Sequence, residues 1–397
     1  MTTSSSDCRG SHPFSRSAIR RIGCISTSRA DAGIYQPLLR ALAGEEDRQV
    51  FCFAGGTHLS DDFGHTIGEL RQLDHVEIIP VEHYRPGDRP EDVAASAGHA
   101  VIQFADALAK TKLDLIFVLG DRTEMLAAAL AALIHRIPIA HLHGGERTAG
   151  AYDDQCRHAI TKLAHVHFPS LSEYAARLRS LGEEPWRIHT VGALALDAIK
   201  DFKPEPATRL SQVTGVDFTG PTFLVVFHPE TLAEAPPEAQ VKELVDALRQ
   251  VDANVLILGA NADVGRAAVD RSLRDFARDR QNVRLLPSLP AAHFYSCMAH
   301  ASLMIGNSSA GIIEAASFKI PVVNIGGRQT GRVHPENVIN TSTSSDSIRE
   351  GVKLASAASF KSKLMRLANP YGDGRAVDRI LGVLQNVPDR QALLRKL

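Results

Sequence analysis

An unbroken apolar run, Leu115 to Leu119, stops at Gly120 and Asp121; after an Ala/Leu-rich segment a second run, Ile137 to Leu142, stops at His143, Gly144, Gly145 and Glu146. Segments apolar on both faces belong in parallel sheets covered by helices, so the pattern reads as strand, crossover helix, strand. In such sheets the polar residues just past the strand ends face the ligand crevice. Asp121, His143 and Glu146 are thus delivered to one rim, followed by a loop with Asp153 and Asp154 and a helical segment with Arg157 and His158. So many ionisable groups on one edge mark a candidate site.

The same grammar runs along the chain. Strands are expected at 19–27, 49–54, 77–81, 115–119, 137–142, 165–168 and 188–191, with helices near 34–42, 60–73 and 97–110: about seven strands in a doubly wound parallel sheet. Periodicity lapses near FKPEPATRLSQ, which places a boundary around residues 196–210. Beyond it, strands are expected at 222–227, 254–258, 283–286, 303–305, 321–325 and 338–340, and helices near 238–250, 264–278, 309–318 and 345–358. At 397 residues the chain is too long for one ordinary core. The reading is α/β: a leader over 1–17, a first domain over 18–200, a second over 201–375, and a final segment over 376–397 whose helix packs back on the first. Two such halves place their strand ends face to face across a cleft.

Composition narrows the ligand. A formal net charge of -1 gives no global field for nucleic acid or an anionic membrane, so an anionic ligand must be held by local groups. The five cysteines, at 8, 24, 52, 156 and 297, are odd in number and scattered, which fits a reducing compartment and no thiolate metal site. No apolar run approaches the roughly eighteen residues of a membrane span, and the Ser- and Arg-rich start lacks the apolar centre of a secretory signal. A cytoplasmic protein is expected. His141 and His143 lie two apart, as metal ligands can, but their strand is apolar and no cysteine is near; no metal is assigned.

Four segments of the chain suit an anionic ligand. In LMIGNSSAGIIEAA a short strand is followed by Gly306, Asn307, Ser308, Ser309 and Gly311, then a helix with Glu314. Small residues and free helix amides suit a phosphate, the serine hydroxyls add donors, and Glu314 can accept from ribose hydroxyls; an ordinary Ser-capped helix has the same appearance. His228, in FHPET after another strand, points to the cleft or forms a turn before Pro229. GGRQTGRVHPENVI supplies Arg328, Arg332 and His334, and STSRADAG supplies Arg29, a candidate diphosphate clamp. Carboxylates on one side, Asp121, Glu146, Asp153 and Asp154, would then lie beside a polyanion on the other, which raises their pKa values toward those of proton-transfer groups.

STSRADAGIYQPLLRAL, GDRTEMLAAALAAL, IPIAHLHGGERTAGAYDDQCRHAITKLAHVHFPS, VGALALDAI, FHPET and GNSSAGIIEAASFKIPVVNIGGRQTGR, in that order over residues 22–380, resemble successive motifs of the hydrolysing UDP-N-acetylglucosamine 2-epimerases. The resemblance implies two Rossmann-like halves of the glycosyltransferase-B type and a UDP-sugar substrate. It implies that a carboxylate takes the C2 proton while UDP leaves C1, and that the glycal formed adds water at C1 and a proton on the opposite face of C2. The products are a free manno-configured sugar, N-acetylmannosamine from UDP-N-acetylglucosamine, and UDP. No cofactor enters this scheme, and relatives are dimers or tetramers that feed nonulosonic (sialic or legionaminic) acid synthesis. It places catalytic roles on Asp121, on Asp153 or Asp154, and on His228. Arg29 and Arg122 match the phosphate side, and Ser308, Ser309, Gly311 and Glu314 the uridine and ribose side. Many relatives have Glu where this chain has His143, so that role passes to His143 or Glu146. UDP-N-acetylglucosamine is the leading substrate; the HxHGGE form is more similar to the branch acting on UDP-2,4-diacetamido-2,4,6-trideoxyglucose, which is the alternative. A glycosyltransferase and a UDP-sugar sensor are the rival readings.

Overall fold

The computed structural model describes residues 19–278 and 280–396; the leader expected over 1–17 lies outside them. Two parallel six-stranded sheets are built from strands β1 (Arg21–Ser26), β2 (Gln49–Gly55), β3 (Val76–Val81), β4 (Leu115–Leu119), β5 (Ile139–Leu142) and β6 (Val166–Phe168), then β7 (Thr222–Val226), β8 (Asn254–Leu258), β9 (Val283–Leu286), β10 (Leu303–Gly306), β11 (Val322–Ile325) and β12 (Val338–Thr341). Their orders are β3-β2-β1-β4-β5-β6 and β12-β11-β10-β7-β8-β9. Both are doubly wound, with the order reversing between β1 and β4 and between β7 and β10, the points where ligands enter such sheets. The α/β, two-half architecture expected from the apolar runs is therefore the one present. β4, β5, β7 and β11 are buried at every position because helices cover both faces.

Differences from expectation have local causes. The strand expected at 188–191 is reduced to a single bridge from Ile188 to His167, since Pro169 has no N–H to continue a ladder. The helix expected over 60–73 is broken into turns at Gly56–Leu59 and Asp61–Phe63 and a short helix, Ile67–Leu70, with Gly64 left-handed at φ 86°. The first helix begins at Arg29, capped by Ser28, and the helix expected over 309–318 divides at Glu314 into Ser309–Ile313 and a 3-10 turn. Helices Ser172–Ser180, Ala207–Thr214 and Ala291–His300 fall in segments where no element is expected from the sequence.

The first core contains Ile22, Phe53, Phe117 and Phe168, and with them Val377, Ile380, Leu384 and Leu393 of the final segment. Arg187, fully buried, fastens that segment by donating to the carbonyls of Leu393 (2.9 Å) and Arg395 (2.7 Å). Lys396 Nζ donates to the carbonyls of Thr161, Lys162 and Ala164 at the end of helix Asp153–Leu163 (2.8–3.1 Å) and pairs with buried Glu183 at 2.6 Å. The second sheet has a core on each face. Among the described residues no helix is long and apolar enough to cross a membrane.

Candidate active site in the cleft

The halves meet by backbone as well as by side chain. Ala149 N donates to Thr330 O (3.1 Å) and Leu232 N to Gly150 O (3.2 Å). A Cβ on Gly150 would stand 2.7 Å from Arg328 Cα, so the close approach there requires glycine. A pocket between them is lined by Arg29, Arg122, His228, Ser308, Ser309 and Glu314, together with Asn261 and Ser288.

On the second-domain wall, Gly306 ends β10 at φ 138°, where a Cβ would overlap the Val226 carbonyl at 1.9 Å. The chain then turns into Asn307, whose side-chain amide donates to His228 O and accepts from His228 N, both at 2.8 Å. This pins the ends of β7 and β10 together and fixes His228. His228 Nδ1 accepts from Asn261 N (3.1 Å), and burial, followed by Arg328 and Arg122, holds its pKa well below the usual imidazole value. The ring is neutral with its proton on Nε2, a donor for a ligand oxygen. Ser308 caps its short helix by accepting from Ala310 N (3.3 Å) and also lines the pocket, so the capping and ligand readings hold together. Glu314 is buried with Oε2 unpartnered, and burial raises its pKa to about 7 against the pull of His143 and Arg332. Gly311 is a correction: it faces β11, where a Cβ would meet Val322 Cγ1 at 3.0 Å, and serves helix–sheet packing.

The first-domain wall is organised by two arginines. Asp121 is not the cap of its helix; it pairs with fully buried Arg157. Glu146 accepts from His143 Nδ1 (2.6 Å) and Ser170 Oγ (3.0 Å) and lies 3.0 Å from Arg332 Nη2 of the second domain. Burial alone would raise its pKa, but Arg332 and His143 hold it down at about 2. The upward shift expected of crowded carboxylates is therefore reversed here, and Arg332 reaches from the second domain to this wall. His143 stands at φ 62°, and its Nε2, also buried, has no partner. His141 is spent structurally, its Nε2 donating to Gly120 O at 2.8 Å while burial lowers its pKa to about 3.

Between the walls, Asp263 lies 3.5 Å from Arg122 and 4.0 Å from Arg328. Asp153 shares a small pocket with Asp263, Arg122, Glu124 and Tyr152. Burial, then Asp263, pushes the Asp153 carboxyl up to about 6 against Arg328 and Arg122. Asp154 turns away: it accepts from Thr148 N (2.8 Å) and sits 3.4 Å from His158, holding the loop. Arg29 ties the halves by donating to Ser288 Oγ (2.7 Å) and pairing with Glu69. Sequence reading missed Asp263, Asn261 and Ser288, although each follows a strand end, the signal used elsewhere. It also missed Glu230, whose carboxylate accepts from Gly327 N (3.0 Å) and shapes the arginine loop. Among the described residues no group of three or more His, Cys, Asp or Glu is arranged to hold a metal ion.

These features can bind a nucleotide on one wall and move protons on the other. A family model described as UDP-N-acetylglucosamine 2-epimerase matches residues 40–385. A relative from Legionella pneumophila named UDP-N,N'-diacetylbacillosamine 2-epimerase (hydrolyzing) is 33% identical over 380 residues, 95% of this chain and 99% of that one. A GDP/UDP-N,N'-diacetylbacillosamine 2-epimerase (hydrolyzing) from Campylobacter jejuni is 34% identical over 325 residues, 81% and 84% of the two chains. The solved UDP-GlcNAc 2-epimerase of Neisseria meningitidis, bound to UDP-GlcNAc, shares the fold at a TM-score of 0.76 with 17% identity, over 92% of this chain and 100% of that one. On the family match and the near full-length identity, this chain belongs to the UDP-N-acetylglucosamine 2-epimerase family.

Proposed function

We propose that the protein is a hydrolysing UDP-sugar 2-epimerase whose substrate is UDP-2,4-diacetamido-2,4,6-trideoxyglucose, with UDP-N-acetylglucosamine as the second reading. The observation that carries the reaction is the division of the cleft: Ser308, Ser309, Arg29 and neutral His228 face one pocket, while Asp153, raised to about 6, lies across from them. The two relatives at 33% and 34% identity carry the diacetylbacillosamine name, which favours the diacetamido sugar; the UDP-N-acetylglucosamine name of a Neisseria relative at 28% supports the alternative.

In this reading the diphosphate lies against Arg29, Arg122 and the start of the Ser309–Ile313 helix, and the ribose against Glu314. Asp153, ionised above about pH 6, takes the C2 proton as UDP leaves C1. Water adds at C1 of the glycal. His143, protonated on both ring nitrogens with its Nδ1–H held by the Glu146 carboxylate, gives its Nε2 proton to the opposite face of C2 and is reprotonated by the proton that the added water releases. Asp121, fixed by Arg157, completes the acid/base wall. Groups held in this way by buried partners suit proton transfer, which gains from preorganisation. The free sugar is a substrate for nonulosonic acid synthesis, and the four free cysteines among the described residues fit a cytoplasmic setting. Exposed Ile102, Leu130, Leu133 and Ile134 on helices Pro90–Lys110 and Thr123–Ile134 support self-association as a dimer or tetramer.

Incubation with each UDP-sugar in deuterated, oxygen-18-labelled water tests the reading. UDP and a free sugar with deuterium at C2 and oxygen-18 at C1 are expected. Recovery of an intact UDP-sugar epimer, or transfer to an acceptor without C2 exchange, would sink it.

A further inference from the structure

We propose, resting on the reaction just described, that Asp88 is a positioning residue: from the first domain it caps the helix Arg266–Arg278 of the second and so holds Asp263 against Asp153. The loop after β3 carries Asp88 to the mouth of the cleft. Its carboxylate accepts from Ala267 N (2.7 Å) and its carbonyl from Gly265 N (3.0 Å). Those amides open a 13-residue helix, and a carboxylate there satisfies a free donor and meets the positive end of the helix. A second contact supports the docking: Arg266 lies 4.0 Å over the Phe63 ring, which itself meets Tyr84 of the Asp88 loop edge-on at 5.9 Å.

The clamped segment includes Asp263, two residues before Gly265. The pocket that Asp263 shares with Asp153 is walled on its outer side by Tyr84, Arg85 and Gly87 from the same loop. Docking of this loop therefore fixes how near the second-domain carboxylate stands to the first-domain one. Asp88 itself lines neither pocket, so it acts through Asp263. The groups facing Asp153 are Asp263, Arg328 and Arg122, with Tyr152, Cys156 and Glu124 around them. Burial and then Asp263 raise Asp153; loss of Asp263's proximity moves it toward the ordinary carboxylate range, with burial still holding it above.

UDP release is to be measured against pH for the wild type, Asp88→Ala and Asp88→Asn, with hydrogen exchange at the amides of 265–267. Removing the cap in Asp88→Ala is expected to lower kcat/KM about tenfold, to move the acid limb to lower pH, and to speed exchange at 265–267. Asp88→Asn, which still caps, recovers most of the rate and the profile. Asp88→Val, which cannot cap, replaces Asp88→Ala if that variant does not fold, and is judged by the same readouts. An acid limb unmoved in Asp88→Ala, whether or not the rate falls, overturns the proposal, as does wild-type exchange at 265–267. A wild type that releases no UDP from any sugar would instead remove the reaction reading, with exchange still deciding whether the clamp exists.

Discussion

Arg332 of the second domain stands 3.0 Å from Glu146 of the first, both side chains buried, and this pair joins the two walls of the cleft. Removing one partner of a buried pair leaves an uncompensated charge, which costs about 3–5 kcal/mol. Arg332→Met should therefore lower stability by that order in denaturant melts and loosen His143, which Glu146 holds. The double variant Arg332→Met with Glu146→Gln should recover much of the stability and none of the turnover. A single variant as stable as wild type would show that the pair does not bind the walls together.

The pH profile should report Asp153. Its pKa in the folded protein, about 6, lies above the ordinary value, so the carboxylate needed to take the proton is lost as pH falls through 6. The acid limb of kcat/KM is expected near pH 6. Asp153→Asn should remove that limb along with about 10²–10⁴ of the rate, while calorimetry shows UDP still bound.

Asp121→Asn should keep UDP binding but lose turnover, and should melt earlier than the wild type because the amide cannot balance buried Arg157 beside Glu146. A misfolded Asp121→Asn protein, or one with normal turnover, would assign Asp121 a structural place only.

His143→Ala should reduce C2 deuterium exchange about 10²–10⁴-fold, and Glu146→Gln should do the same by releasing the ring held at 2.6 Å. His143→Glu, the residue that the family resemblance implies at this position, should restore part of the activity. Equal exchange rates in wild type and His143→Ala would place the second proton donor elsewhere.

Glu314 ionises only through about pH 7 because burial opposes its charge. An ionised carboxylate accepts ribose hydroxyls more strongly than a neutral acid, so UDP affinity should rise as pH passes from 6 to 8. Glu314→Gln should flatten that dependence and weaken binding about tenfold at pH 8, the order of a hydrogen bond to a charged group. Titration calorimetry at several pH values decides it.

The fold was legible where local chemistry decides it. Runs such as Leu115–Leu119 and Phe223–Val226 have one stable placement, a parallel strand covered on both faces, and their ends located Asp121, His228 and Ser308. Pairing over long separations was not legible. Glu146 and Arg332 are brought together by closure of two domains, and Arg122 meets Asp263 the same way. Asp153 and Asp154 could not be separated either, since successive residues on a helix differ by about 100°; one faces the cleft and the other the preceding loop. Gly311 looked like a ligand contact because small residues serve close packing and ligand approach alike.

The final segment has a consequence for synthesis of the chain. Ile380, Leu384 and Leu393 complete a core whose strands lie at 21–168, and Arg187 waits for carbonyls at 393 and 395. On the ribosome the first domain must emerge with that groove uncovered and Arg187 held only by Glu184 and the His165 carbonyl while the whole second domain is made. Its core is therefore incomplete until residues 376–396 have left the exit tunnel. Helix Asp153–Leu163, whose last carbonyls take their donors from Lys396, gains its final fastening only then, so nascent chains halted before this point should carry no working cleft.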